Sequence, residues 1–230
     1  MFWEEDNEEQ QGPDLSVVDL VFTVSARTLP VDHAYSLSQA IMAALPWLEH
    51  EPDSGIHMIH IAESGNGWER PDGELLYLSR RTKFILRVPR QRIDDAAKLI
   101  GQSVYVDGHE LQFTKYVVKE FSLLSTQHAR YVLAEGDETE NEFLQRCANE
   151  LKALGIPVRK MMAGKTHQFQ LPDGEYKAWA VMIADLSEEH AILLQQRGLG
   201  AGRLQGFGLF IPHKGITAVT SEDGKTQSID

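Results

Sequence analysis

Five glycines fall within eleven residues near the C-terminal end of the chain, in Gly198-Leu-Gly200-Ala-Gly202-Arg203-Leu-Gln-Gly206-Phe-Gly208-Leu-Phe-Ile211. Glycine tolerates positive φ and close backbone approach, so the run reads as a loop that turns main-chain N–H groups toward an anion. Its neighbours restrict the fold around it. In dinucleotide-binding and P-loop sites the glycines leave a strand and open a helix, and phosphate meets the helix N-terminus. Here residues 187–197 read as a helix, with Ser187 as N-cap and Glu188 and Glu189 in its first turn. Residues 206–211 then read as a strand. The order is reversed, which argues against a nucleotide cofactor. Gly164-Lys165-Thr166 also fails as a P-loop, because Arg159 stands where its first glycine belongs.

The rest of the chain alternates strand and helix patterns twice. Residues 16–24 are rich in β-branched side chains and read as a strand, ended by Leu29-Pro30. A helix follows from Asp32, whose carboxylate is placed to cap it; Ala34, Leu37, Ile41, Ala44, Leu45 and Leu48 form its apolar stripe. Short strands are expected at 56–61 and 73–78, around a Gly65–Trp68 insert, and a stronger one at 82–88. In the last, Phe84, Leu86 and Val88 alternate with Lys83, Ile85 and Arg87. A second helix over 90–100 and a hairpin over 102–113, turning at Asp107-Gly108, close the first unit. The second unit repeats the order: strand 129–134, helix 139–154 ended by Gly155, strands 156–162, 166–171 and 178–185, helix 187–197 and strand 206–211. This is an α+β chain of two tandem ferredoxin-like (RRM-like, βαββαβ) domains. The expected divisions are an acidic disordered tail over 1–15, domains over 16–120 and 121–221, and a polar tail over 222–230.

Net charge is −12, which taken whole opposes a nucleic-acid partner. Residues 1–14, 135–150 and 222–230 carry −6, −5 and −2, which leaves +1 for everything else. Residues 79–93, 151–172 and 190–221 contain no acid. The first holds Arg80, Arg81, Lys83, Arg87, Arg90 and Arg92; the others include Lys165 and Arg203. Such segments suggest a local anion-binding surface, against the blander reading of basic side chains paired with acids elsewhere. Cys147 is the sole cysteine, so neither an internal disulfide nor a thiolate cluster arises. The N-terminus lacks the basic and apolar regions of a signal peptide, and no apolar run reaches membrane-spanning length; a cytoplasmic protein without a membrane partner is expected.

The glycine loop between the last helix and last strand resembles that of the RAMP superfamily of CRISPR RNA-binding proteins. Leu29-Pro-Val-Asp-His-Ala-Tyr-Ser-Leu37 near the N-terminus resembles the repeat-processing endoribonuclease of that superfamily, in its Myxococcus-type variant. The resemblance implies metal-independent cleavage of a repeat hairpin, with no cofactor. A ribose 2′-OH attacks the adjacent phosphate, the 5′-oxygen leaves protonated, and a 2′,3′-cyclic phosphate results. The implied partners are CRISPR repeat RNA and its mature product, with effector-complex subunits as further possibilities.

Among nine histidines, His33 is the leading catalytic candidate. A first-turn imidazole lies beside free N–H groups and the positive helix end, which attract phosphate and favour the neutral base; Asp32 acts the other way. The resemblance places the family's catalytic histidine in or near this helix. Tyr35 and Ser38 are candidates to position the hydroxyl or donate a proton. Arg203 and Lys165 are candidates for the phosphorane charge. The expected RNA contacts are Arg80, Arg81, Lys83, Arg87, Arg90, Lys165, Arg203 and Gly198, Gly200, Gly202, Gly206 and Gly208. His57 and His60, three apart on an expected strand, would face opposite ways and make a poor metal chelate. Trp47, Trp68 and Trp179 read more readily as core or loop anchors than as base-stacking platforms. Two other readings stand beside the nuclease: a non-catalytic RNA-binding subunit of the same superfamily, and a ferredoxin-like enzyme acting on a small acid.

Overall fold

The computed structural model describes residues 16–61 and 74–214. The two expected tails and the Gly65–Trp68 insert lie outside the described residues. The elements in order are β1 (Val17–Ser25), β2 (Thr28–Pro30), α1 (Ala34–Ala44), β3 (Gly55–Ile56), β4 (Leu75–Tyr77), β5 (Lys83–Pro89), α2 (Ile93–Ala96), β6 (Ser103–Val106), β7 (His109–Lys119), β8 (Gln127–Leu133), α3 (Glu140–Ala153), β9 (Lys160–Leu171), β10 (Gly174–Ala184), α4 (Glu188–Arg197) and β11 (Phe210–Pro212).

Two antiparallel sheets dominate, ordered β3-β5-β1-β7-β6 and β11-β8-β10-β9. In each, the first strand of the unit lies between its third and fourth, which is the ferredoxin-like arrangement, with β6 added at the edge of the first. The first core centres on Phe22, Phe84 and Phe113, whose rings meet at 5.5–6.0 Å. Leu37 and Ile41 of α1 close over it. Each such phenyl group withdrawn from water contributes roughly 1.5–3 kcal/mol. In the second core Phe143 of α3 stacks on Trp179 of β10 at 5.6 Å. There the helix start follows its sequence: Thr139 and Glu142 form a reciprocal capping box. Burial pushes the thiol of Cys147, on the buried face of this helix, up to about 12. Among the described residues no helix is long and apolar enough to cross a membrane.

Local departures from the sequence reading have tertiary causes. Helix α1 begins at Ala34 with His33, rather than Asp32, at its N-cap. Asp32 Oδ2 instead accepts the Gln170 N–H at 2.9 Å, tying the helix entrance to β9 of the other sheet. The strand expected over 56–61 stops at Ile56, because the Ile59 N–H is drawn off the sheet to a side chain of α1's entrance. The helix expected over 90–100 divides into 3-10 turns at Arg90–Arg92 and Ala97–Leu99 around a single α turn. The strands expected over 156–162 and 166–171 merge into one, β9, which pairs with β10 from Lys160 to Leu171 around one register shift. The last strand starts at Phe210, since Gly206 and Gly208 hold φ of 90° and 66°. The hairpin turn is where the sequence put it, with Asp107 and Gly108 both at positive φ.

Candidate functional site

One buried cation bridges the two sheets. Arg87 of β5 stands opposite Asp19 of β1 in the first sheet. Its Nε donates to Asp19 Oδ1 at 2.8 Å and its Nη2 to Oδ2 at 3.1 Å. The same guanidinium donates to the Gln195 carbonyl of α4 and, at 3.0 Å, to the Phe210 carbonyl of β11. Burial by itself would raise the Asp19 pKa, but Arg87 holds it below the usual carboxylate range. This arginine, expected on RNA from the alternation of its strand, is consumed in joining the units.

The glycine loop closes the same seam. Its N–H groups turn inward: Leu199 N–H donates to Gly208 O, Gly200 N–H to Glu150 Oε2, Phe207 N–H to Gly202 O and Gly208 N–H to Tyr131 O. A Cβ on Gly208 would meet the Leu199 carbonyl, and one on Gly206 would lie 2.7 Å from Met58. The glycines permit a tight knot docked on the first unit, and those amides are engaged within the protein. Arg203 donates from Nε to the Ser54 carbonyl and from Nη2 to the Asp53 carbonyl, both at 3.2 Å. Burial, and then the charge of Arg87, lower its pKa to about 10. Arg197 beside the loop pairs with Asp53 at 3.2 Å.

His33 lies at the same seam and is almost wholly buried, at 2% exposure. Ile59 N–H donates to its Nε2 at 3.0 Å, so Nε2 carries no proton. Its Nδ1 therefore donates to the Pro30 carbonyl, at 2.8 Å. Ala34, next along, shares an apolar cluster with Met58, Tyr131, Phe169, Ala178 and Phe207 of the loop. The entrance of α1 and the glycine loop thus meet, though through packing rather than through an exposed imidazole. Ser38 is buried, while Tyr35 is partly exposed at 38%.

Between the sheets runs an open cleft of about 290 Å³. The first unit lines it with His57, His60, Ser79, Arg81, Thr82 and Lys83, and the second with Arg130, Tyr131 and Gly206. It continues across Arg130 and Tyr131 into a hollow lined by His128, Lys165 and His167. Tyr131 makes ring contacts on both sides, with His60 at 5.8 Å and His167 at 5.2 Å. Of the expected RNA contacts, Arg81, Lys83, Lys165 and Gly206 line this continuous surface. Arg80 is exposed on the turn beside it, whereas Arg90 is paired with Glu120 at 2.6 Å beyond the far end of β5. His57 and His60 both line the cleft, because the chain has left the strand before His57; the alternation argument against them does not apply. Among the described residues no group of three or more His, Cys, Asp or Glu side chains is placed to hold a metal ion. Trp47 lies beneath the Arg92 guanidinium at 4.9 Å and Trp179 in the second core, while Trp68 lies outside the described residues.

Sequence reading missed Arg130, Tyr131 and His167 as cleft residues. Arg130 and Tyr131 sit in β8, and what redirects them is a bulge visible only in the strand register. His50 was likewise not singled out; it is exposed at the end of the 3-10 turn Pro46–His50, just before the Asp53–Ser54 segment that Arg203 grips.

Two ferredoxin-like units in tandem, with cations of both sheets along the cleft between them and a glycine-rich knot at the seam, place the chain among tandem ferredoxin-like proteins of the RAMP type. A solved RAMP protein binding different RNA substrates matches it with a TM-score of 0.58 over 84% of this chain and 98% of its own, at 13% identity. The chain belongs to the Cas6 family, whose model, described as Cas6 Crispr, matches residues 18–215. It is 28% identical over 208 residues to the CRISPR-associated endonuclease Cas6 of Myxococcus xanthus (strain DK1622), covering 90% of this chain and 86% of that one. A solved CRISPR associated protein Cas6 superposes with a TM-score of 0.60 at 9% identity, over 86% of this chain and all of its own. The product of a Cas6-related gene from Pyrococcus furiosus superposes at 0.59 with 14% identity, over 84% and 97%.

Proposed function

We propose that this protein binds the repeat hairpin of a CRISPR precursor RNA and cleaves it without a metal ion, retaining the product for delivery to an effector complex. The observation that carries the reading is the shared cleft. Arg81 and Lys83 come to it from one sheet and Arg130 and Lys165 from the other, with imidazoles on both walls. Cations spaced this way suit a phosphodiester backbone rather than one small acid. The Myxococcus relative, named an endonuclease, favours cleavage over binding alone.

In the reaction a base removes the 2′-OH proton, the oxygen attacks the adjacent phosphorus, and the P–O5′ bond breaks as the leaving oxygen takes a proton. The products are a 2′,3′-cyclic phosphate and a 5′-hydroxyl. His33 serves this chemistry as a positioning residue, since in the closed seam its Nε2 holds Ile59 N–H and so fixes the His57–His60 wall. The proton passes to an imidazole open to RNA, for which His50, His60 and His167 are candidates; Tyr35, partly exposed on α1, is the candidate hydroxyl partner.

Labelled repeat RNA incubated in EDTA tests the reading. The wild type cleaves it, and a single 2′-deoxy substitution at the cut site stops cleavage without weakening binding. Alanine substitutions of His33, His50, His60 and His167 then locate the base: its loss slows cleavage by a hundredfold or more and leaves affinity within about twofold. Tight binding with no cleavage by the wild type would establish the non-catalytic alternative, and absence of binding would reject both.

A further inference from the structure

One rung of the second sheet is built unlike the rest. Trp179 pairs with Val132 and Val181 with Ala129, so Arg130 and Tyr131 of β8 together stand opposite Ala180. On the other side Trp179 pairs with Thr166 and Val181 with Ala163, so Gly164 and Lys165 of β9 together stand opposite the same residue. A bulge redirects side chains that a regular strand would send elsewhere. Two bulges on one rung deliver Arg130 and Lys165 to a single hollow of about 230 Å³. Gly164 and Ala180 at the rung are small and close: a Cβ on Gly164 would lie 3.2 Å from that of Ala180. The floor above them is apolar, formed with Met162 and Met182. Met162 is 59% exposed, a large apolar side chain held out on an open sheet face.

We propose that this hollow is a nucleobase subsite, which seats one unstacked base of single-stranded RNA on Met162 and Met182 and its flanking phosphate on Arg130 and Lys165. The inference rests on the RNA reading above and names a place within it. A base has two flat apolar faces, a polar edge and an anionic tether. The hollow offers polarizable thioethers to the face, the half-buried imidazole of His167 to the edge, and two cations to the tether. Its continuity with the cleft follows from Arg130 and Tyr131, which line both. Burial, and then the charge of Arg130, hold the His128 pKa at about 3, so the wall behind the hollow adds no positive charge of its own.

The test is abasic scanning of the repeat RNA, with affinity measured for the full-length wild type and for a Met162→Ala/Met182→Ala variant whose thermal midpoint matches it. At one single-stranded position the wild type loses about tenfold on removal of the base. The variant, already weakened on intact RNA, loses less than twofold at that position. Equal abasic penalties in the two proteins at every position, with intact RNA still bound tightly by the wild type, overturn the subsite alone. Failure of the wild type to bind unmodified repeat RNA overturns the functional reading and the subsite with it.

Discussion

Arg87 and Asp19 are register partners on adjacent strands, and their fork-to-fork contact at 2.8 and 3.1 Å is withdrawn from solvent, with the arginine side chain fully buried. The arginine's remaining donors leave the first sheet for carbonyls of α4 and β11. A cross-strand pair thereby sets how the two units meet and how wide the cleft between them stands.

Substituting Arg87→Met leaves a buried carboxylate and two carbonyls without their donor. The expected cost is about 3–5 kcal/mol of stability, as for breaking a buried pair from one side. Chemical denaturation of Arg87→Met, Asp19→Leu and the double variant checks it: the double variant recovers part of the loss because no lone charge remains. A double variant as unstable as the two single losses added together would show that the pair is not coupled.

Gly208 and Gly136 both hold positive φ, 66° and 60°. A Cβ on Gly136 meets nothing within 4 Å, whereas one on Gly208 runs into the Leu199 carbonyl. Gly136→Ala is expected to cost about 1 kcal/mol through backbone strain alone. Gly208→Ala should cost at least twice that and weaken RNA binding, since the knot must open. Equal losses in a thermal melt would mean the loop adapts without cost.

Acid should loosen the fold before the carboxylates are reached. Burial, and then the charge of Arg87, lower His57 from 6.5 to about 3, and burial lowers His128 to the same range. A histidine with a lowered folded pKa takes up its proton first in the unfolded chain. Its contribution is therefore complete above about pH 6.5 and is lost as pH falls toward 3, at up to about 1.4 kcal/mol per pH unit for each proton. Asp19, held below 3.8, adds its own loss only beneath that value. Denaturation midpoints between pH 7 and pH 4 should fall, and fall less steeply in His57→Asn. An unchanged slope in that variant would remove His57 from the account.

His33→Ala frees the Ile59 N–H and the Pro30 carbonyl inside the seam. Stability is expected to drop by about 1–3 kcal/mol, the cost of orphaned buried groups. If His33 positions the His57–His60 wall, RNA affinity and cleavage fall together. Cleavage lost at full stability and full affinity would instead return His33 to the role of proton carrier.

Much of the architecture was written locally. The 16–24 strand, the Thr139 and Ser187 helix starts, the Asp107-Gly108 turn and the glycine spacing of 198–208 each depend on a few neighbouring residues, and they led to the βαββαβ order twice over and to the family. The site was less legible, because its side chains answer to partners far along the chain. Lys83 and Arg87 look alike on an alternating strand, yet Lys83 reaches the cleft and Arg87 is taken by Asp19 and by α4 and β11. His33 looks like an open first-turn imidazole until Ile59, 26 residues away, occupies its free nitrogen. Arg130 and Lys165 are brought together only by the two bulges opposite Ala180. Sequence alone determined which segments fold and in what order, since those choices are set by short-range sterics and hydrogen bonding. Which cations stay in solvent to meet a ligand was decided only when the two sheets closed on each other, because burial and long-range pairing exist only in the assembled fold.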